Sequence, residues 1–344
     1  NPFMMSINYT SGIEVAIRSV NLTYTYHVLN SFNILSGKTD KLIKKLISQN
    51  YFFLKNNLSL FSSSNNHLIA ELTGLIVIST YFKGDKFSLK KWKQKLLHKI
   101  TAKYNVDGMD DELSFRYHLA VSDHFINSLQ FIRNTDSKIS ESIKQRLLEV
   151  QKFTSHINYF NIDSNIGDND NSFLINPFFD NKFSYSKSIL ESFNIICNES
   201  RENESVDFRN YLIFGDELLS IKKDSNKIFL HQSTIFKESG YAFLYDNKKD
   251  LKLTFDFGNI GDTKLMAHGH SDQLSFTLQK NNCEILVDPG TYQYHETKSK
   301  WRQYFRSIKA HNCISFNGMN HALSLGRMSW TNSSKVINKS FTPS

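Results

Sequence analysis

Three short stretches in the last quarter of the chain carry residues able to do chemistry: His268-Gly269-His270-Ser271-Asp272, Val287-Asp288-Pro289-Gly290 and Ala310-His311-Asn312. His270, Asp288 and His311 supply two nitrogen donors and an oxygen donor, the kind zinc takes in sets of three or four when the fold closes wide spacings. In an extended strand His268 and His270 point to one face. One of them can then hold a metal while the other faces a substrate. Two more places stand out: Ser64-Asn65-Asn66-His67, where a helix begins, and Arg116-Tyr117-His118, inside another. An amide, an imidazolium and a helix N-terminus each neutralise a carboxylate. A tyrosine gives or takes a proton when nearby positive charge lowers its pKa.

The elements that position these residues change character along the chain. Residues 1–160 read as helix after helix. Ser11-Gly12-Ile13-Glu14 has the pattern of a capping box, followed by a stripe of Ile13, Ala16, Ile17, Val20 and Tyr24. Asp40 precedes the stripe of the next helix, and His67 opens one through Ile76. Ser88 caps one that contains Trp92, and two more run over Leu113–Ile132 and Ile139–Phe153. Helix pairs of this length suit an α/α toroid or solenoid, although no clean sequence repeat is present. Residues 161–209 read as a linker and connecting segment that opens with the polar stretch Asn161–Asn171. This stretch is a poor match to an EF-hand loop, and a surface loop is the expectation. From residue 210 to 344 the period moves toward two. Strands are expected at 227–232, 240–245, 251–257, 273–278 and 284–287, with a hairpin turn at Lys280-Asn281-Asn282. The expected class is α+β and multidomain, an incomplete N-terminal α/α toroid followed by a truncated antiparallel β-sandwich.

Composition sets the outer limits. The chain has 344 residues and a formal net charge of +8, which favours anionic partners. The basic run Lys83–Lys99 reads as a solvated helix face, so no nucleic-acid partner is expected. No apolar run is long enough to span a membrane. Cys197, Cys283 and Cys313 are odd in number and far apart, and read as free thiols. Both ends look cut, so the chain reads as part of a longer protein.

The segments AHGHSDQLSFTL, EILVDPGTYQY and WRQYFRSIKAHNCISFNG resemble the β-domain of the heparinase II/III-like polysaccharide lyases, and SNNHLIAEL and SFRYHLAVSDHF resemble segments of their toroid. The resemblance implies a lyase that cleaves a uronic-acid polysaccharide by β-elimination. Asn66 and His67 would bind and neutralise the substrate carboxylate, with Glu71 orienting the imidazole. Tyr117 would be the catalytic tyrosine and His268 the histidine reaching across to it. Beside the resemblance, Tyr292 and Tyr294 near the Asp-Pro-Gly turn either line the cleft or simply pack, and with Arg306 they are the candidate substrate-holding residues. His270, Asp288 and His311 would bind a largely structural Zn2+. The partner would be an acidic polysaccharide, and the compartment the periplasm or the exterior. Sequence alone names no sugar; heparan sulfate, alginate-type uronate and a bacterial surface glycan need similar chemistry.

Alternatives stand beside each assignment. Asn66 also suits a plain helix cap, and Tyr117 a core tyrosine. His118 and His124 suit packing or surface roles, while His295 and His321 have no motif support. Trp301, Arg302, Tyr304 and Arg306 form an aromatic–basic cluster that suits either an acidic sugar or edge packing. A non-catalytic or biosynthesis-associated protein that binds a capsule or exopolysaccharide is the alternative function. A zinc hydrolase would use Asp272 as its base.

Overall fold

The computed structural model describes residues 3–61, 65–84, 86–135, 139–162, 166–176, 183–197, 207–220, 232–262, 266–295, 300–334 and 336. The expected strand at 227–232 lies almost wholly outside them, as do Ser64 and residues 163–165.

The helical part has two layers. Helices α1 (Gly12–Ser31), α3 (Asn66–Tyr81), α5 (Phe115–Arg133) and α7 (Tyr185–Ile196) pack in succession, each on the next. Against this row lie α2 (Gly37–Asn56), on α1 and α3, and α4 (Lys86–Lys103), on α3; α6 (Glu141–Phe160) packs on α4 and α7. Burial follows the layering. Every residue of α3 from Leu68 to Ser79 is buried, whereas α2 buries only Ile43, Ile47, Asn50, Phe53 and Leu54. A helix apolar on all sides belongs inside, and one with a single stripe belongs outside. Short α8 (Phe208–Phe214) packs on α7 and α5, and α9 (Glu217–Ser220) follows it.

The segment expected to be a linker is therefore only partly one. It contains α7, whose Tyr185, Ile189, Phe193 and Ile195 join the main helical core. Two caps also differ from expectation. Ser11 precedes α1 without making a side-chain cap bond. Ser88 lies inside the first turn of α4, which starts at Lys86.

The second part is an antiparallel sheet in the order β1-β2-β3-β4-β5: Thr234–Phe236, Tyr241–Asp246, Leu251–Asp256, Phe276–Lys280 and Cys283–Leu286. The turn at Asn281-Asn282 is a two-residue hairpin with φ of 51° and 58°, the left-handed pair that matches strand twist. Strand β4 begins at Phe276, three residues later than its apolar pattern suggests, because residues 270–275 are drawn into the loop of the histidine site. Helix α10 (Trp301–Phe305) and a separate hairpin, β6 (Leu323–Leu325) with β7 (Ser329–Thr331), complete this part. A second core fastens the two parts together: Phe115 of α5 and Phe153 and Phe160 of α6 meet Phe236, Tyr241 and Phe243 of β1 and β2. The Tyr241 hydroxyl donates to the Leu113 carbonyl at 2.9 Å, two residues before α5. The junction thereby fixes the start of the helix that carries Tyr117. The architecture is helical layers followed by an antiparallel β-region, as the changing sequence period implies.

Candidate functional site

Tyr117 sits in the first turn of α5, where Ser114 accepts a hydrogen bond from the Tyr117 amide at 3.3 Å. Its ring stacks on His268, with centroids 4.0 Å apart and planes 23° apart. Its hydroxyl lies 2.7 Å from the Tyr294 hydroxyl and 3.4 Å from Asp170 Oδ2. Tyr294 reaches His268 Nδ1 at 3.3 Å as well. A helical residue and two residues of the β-region thus meet at one point. Burial, with Tyr294 and Asp170 beside it, holds the Tyr117 hydroxyl well above its ordinary pKa. The sequence reading required a lowered value; in the structure the group at rest is protonated.

His268 and His270 do not share a strand face. The segment is a loop, and His268 has φ 63°, a left-handed backbone that breaks the alternation of strand side chains. His268 turns to Tyr117, while His270 turns to His311, with ring centroids 5.4 Å apart. The β6–β7 hairpin supports this loop. The Trp330 indole donates to the Gly269 carbonyl at 2.7 Å, and the His268 amide donates to the Met328 carbonyl at 3.3 Å.

A residue that sequence reasoning passed over joins the two histidines. Asp168, fully buried in the loop after α6, has Oδ2 3.4 Å from His268 Nδ1 and Oδ1 3.0 Å from His270 Nε2. Arg302, also buried, donates to both carboxylate oxygens at 2.5 and 2.7 Å. Burial opposes this negative charge, but the bonds from His268, His270 and Arg302 prevail and hold Asp168 well below the usual carboxylate range. The backbone is locked too. The Asp168 amide donates to the His268 carbonyl at 2.8 Å, and the Ser114 hydroxyl donates to the Asp168 carbonyl at 2.6 Å. Gly167 has φ 72°, and a Cβ there would stand 2.8 Å from Ser114 Cβ and 3.1 Å from the His268 carbonyl oxygen. The strap 166–168 is thus wedged between the start of α5 and the His268 loop, and Arg302 is a structural cation rather than part of an open cluster.

Beyond this strap lies a candidate metal cluster in which Asp272 stands with His270 and His311, while the expected Asp288 contacts His311 from outside that cluster. His270, Asp272 and His311 bring one donor atom each to within 4.8 Å of the others, all three residues buried. His270 Nδ1 and His311 Nε2 are buried without a hydrogen-bond partner. Their other nitrogens are held by carboxylates, Asp168 on His270 at 3.0 Å and Asp288 on His311 at 2.7 Å. Two orphaned nitrogens, each backed by a carboxylate, with a third carboxylate alongside, is the pattern of a zinc site. The residues fit the group, with Asp272 as the oxygen donor and Asp288 orienting His311. Burial raises the Asp272 carboxyl above its ordinary pKa, which a bound cation would offset.

On the helical side, Asn65 occupies the cap position of α3, and its side chain is 3.4 Å from Asp262 Oδ2; Asn66 is the first helical residue. His67 follows, partly buried, and burial holds its imidazole below the ordinary pKa against the pull of Glu112. Glu112 Oε2 lies 3.9 Å from His268 Nε2, which brings α3 and the His268 loop to one acidic side chain. The neighbouring Asp110, Asp111 and Glu112 already have a cation, because Lys103 contacts all three. Glu71 does not orient His67. It accepts from the Ser59 amide at 2.7 Å and hydroxyl at 2.6 Å, because its place on α3 directs its carboxylate toward Gly12 at the start of α1.

Of the expected substrate residues, Tyr294 stands at the centre and Tyr292 is exposed beside it, whereas Arg306 is buried. Its guanidinium bonds to the Gly326 and Arg327 carbonyls and covers the Trp330 ring at 4.6 Å, because its place after α10 directs it beneath the β6–β7 hairpin. His118 and His124 are buried in α5, His118 against Thr154 at 2.9 Å. His295 packs edge-on to Tyr294. The His321 amide donates to the Ser271 hydroxyl at 2.7 Å.

This pairing of helical layers with an antiparallel β-region, and a tyrosine–histidine centre at their junction, defines a toroid-plus-sandwich protein. The sequence matches the heparinase II/III N-terminus over residues 9–198 and the heparinase II/III-like C-terminal region over residues 230–341, and the chain belongs to that family. A search of curated proteins gives no match. Among solved structures, a mutant heparan sulfate lyase from Pedobacter heparinus is 18% identical with a TM-score of 0.62 over 93% of this chain and 48% of its own. A second structure, described as heparinase III, is 18% identical with a TM-score of 0.62 over 96% and 49%. Another heparinase III gene product is 17% identical with a TM-score of 0.59 over 90% and 46%. The chain therefore spans about half the length of the solved structures it matches. Among the described residues no helix is long and apolar enough to cross a membrane.

Proposed function

We propose that this chain carries the catalytic centre of a polysaccharide lyase that cleaves a uronic-acid-containing acidic polysaccharide by β-elimination. The observation that carries this reading is the meeting of Tyr117 with His268 and Tyr294, with hydroxyls 2.7 Å apart and the Tyr117 and His268 rings stacked. A core tyrosine has no need of such partners from another part of the chain. Membership in the heparinase II/III family, and structural neighbours described as heparan sulfate lyase and heparinase III, support the same chemistry.

The proton on C5 of a uronate is poorly acidic while the adjacent carboxylate keeps its charge. Asn66, His67 and the N-terminus of α3 would neutralise that carboxylate; the resting imidazole of His67 would gain its proton as the anion arrives. His268, beside Tyr117, would accept the C5 proton. The C5–H electron pair then forms the C4=C5 double bond as the C4–O4 bond breaks. Tyr117, kept protonated by burial, would donate to the leaving O4. Asp168 and Arg302 would hold His268 in place. A zinc ion on His270, Asp272 and His311 would cross-link the loops behind the centre and take no part in proton transfer. Such polymers are met in the periplasm or outside the cell, and that is the proposed compartment.

Ultraviolet absorbance of the 4,5-unsaturated product, followed across heparan sulfate, alginate and bacterial surface polysaccharides, tests the reading. Product from one of them, abolished in Tyr117→Phe, is the expected result. A flat trace on every polymer with the zinc-loaded protein would overturn it.

A further inference from the structure

Next to the acid–base centre lies a group of aromatic residues that no step above uses. Tyr292 stacks on Phe305, with centroids 4.9 Å apart and planes 22° apart. Trp301 stands edge-on to Tyr304 at 5.9 Å and 6.2 Å from Tyr292. The rings touch one another yet remain in solvent: Tyr292 is 61% exposed, Trp301 53% and Tyr304 41%. A contiguous exposed apolar patch with polar tips is unusual on a soluble surface and marks a recognition site more often than a packing face.

The outward pose is built rather than relaxed. Tyr292 has φ 59°, a backbone that a bulky side chain rarely adopts. The turn before it is pinned: the Gly290 amide donates to Asp288 Oδ1 at 3.0 Å, and Thr291 Oγ1 accepts from the Asn169 amide at 2.6 Å. The patch is also tied to the centre through its chain neighbours. Tyr294, two residues from Tyr292, has its hydroxyl on Tyr117. Arg302, the residue after Trp301, holds Asp168. Lys300, exposed, precedes α10 and supplies a positive charge at its edge.

We infer that Tyr292, Trp301, Tyr304 and Phe305 form a stacking subsite for one pyranose ring of the acidic polysaccharide, adjacent to the ring that reacts. The C–H face of a pyranose is apolar and weakly positive and packs on the negative face of an aromatic ring. Lys300 faces the carboxylate or sulfate of that sugar. This inference rests on the lyase reading for the identity of its ligand.

Tryptophan emission tests it without turnover. The chain has three tryptophans, of which Trp92 and Trp330 are buried, so Trp301 reports on solvent. The Tyr117→Phe chain is titrated with tetrasaccharides from heparan sulfate and from alginate. A saturable emission change with one of them is expected, together with binding by calorimetry that weakens about fivefold to tenfold in Trp301→Ala and in Tyr292→Ala. Trp301→Phe retains most of the affinity. Calorimetric binding with unchanged emission, and equal affinity in both alanine variants, overturns the subsite while leaving the lyase reading intact. An emission change with the expected losses, but no unsaturated product from the parent chain, retains the subsite and overturns the lyase reading. Absence of binding to both tetrasaccharides overturns the subsite.

Discussion

Replacing Asp168 by Asn separates what this carboxylate does for stability from what it does for the reaction. The side chain is fully buried and faces three groups: Arg302 at 2.5 and 2.7 Å, His270 at 3.0 Å and His268 at 3.4 Å. An amide keeps the shape but removes the charge, and leaves the buried Arg302 guanidinium without a counter-ion. Breaking a buried pair from one side costs about 3–5 kcal/mol. With an unfolding entropy of roughly 2.1 cal/mol/K per residue over the chain, that is a fall of about 4–7 °C in Tm. Asp168→Asn with Arg302→Met removes the orphaned charge as well, so most of the lost Tm returns. The rate behaves differently, because neither variant restores the negative charge beside His268 Nδ1. Both lower kcat by about 10- to 100-fold, on the scale of losing a carboxylate that orients an imidazole, and leave KM within about threefold. Calorimetry and steady-state product absorbance give the two readouts. If Asp168→Asn keeps its Tm within about 1 °C, or if the double variant recovers the rate along with the Tm, the positioning argument is wrong.

Other outcomes follow from the same geometry. Tyr117→Phe loses product formation by at least about 100-fold in kcat with little change in Tm, since the ring stays stacked on His268; retention of a tenth of the rate refutes its role as proton donor. Asp272→Asn abolishes zinc binding measured by atomic absorption, whereas Asp288→Asn weakens it about 10- to 100-fold by freeing His311; the reverse order refutes Asp272 as the ligand. Stability falls as pH drops below about 6.5. Burial holds His118 and His124 neutral in the fold, with pKa values pushed down to about 3 and about 4. The unfolded chain binds those protons first, so both residues are without penalty above pH 6.5 and each costs up to about 1.4 kcal/mol per pH unit below it. Urea midpoints at pH 7.5 and 5.5 check this. Smaller pH dependence in His118→Gln is expected, and an unchanged one counts against the assignment.

The sequence revealed what repeats locally and hid what is assembled from a distance. Apolar stripes marked the helices from α1 to α6, and the move to period two marked β2 and β3, because burial imposes those periods residue by residue. The same logic failed for α7. That helix follows the polar stretch 161–172 and precedes another at 198–206, and its core-facing Ile189, Phe193 and Ile196 sit in a segment already read as connecting chain. At the site, Tyr117 and His268 were legible through the resemblance of their short motifs, but their contact spans 151 positions and only the fold supplies it. The strand rule misplaced His268 relative to His270 because a single left-handed residue, at φ 63°, cancels alternation.

Asp168 is the instructive miss. It lies in a polar stretch whose composition is that of any surface loop, and it is buried only because Arg302 and two histidines arrive from more than 90 positions away. Nothing in its own neighbourhood encodes the counter-charge that makes burial tolerable. A motif reading finds residues that touch substrate or metal. The carboxylates that aim those residues, Asp168 for His268 and His270 and Asp288 for His311, carry no spacing of their own. The same division explains the metal set. Asp288 stands in the conspicuous Asp-Pro-Gly turn and reads as the ligand; its oxygen is 2.7 Å from His311 Nδ1, while Asp272, read from sequence only as a possible base, is the carboxylate that groups with His270 and His311. Replacing either aspartate therefore asks which layer of the site each one occupies, a question that spacing alone could not pose.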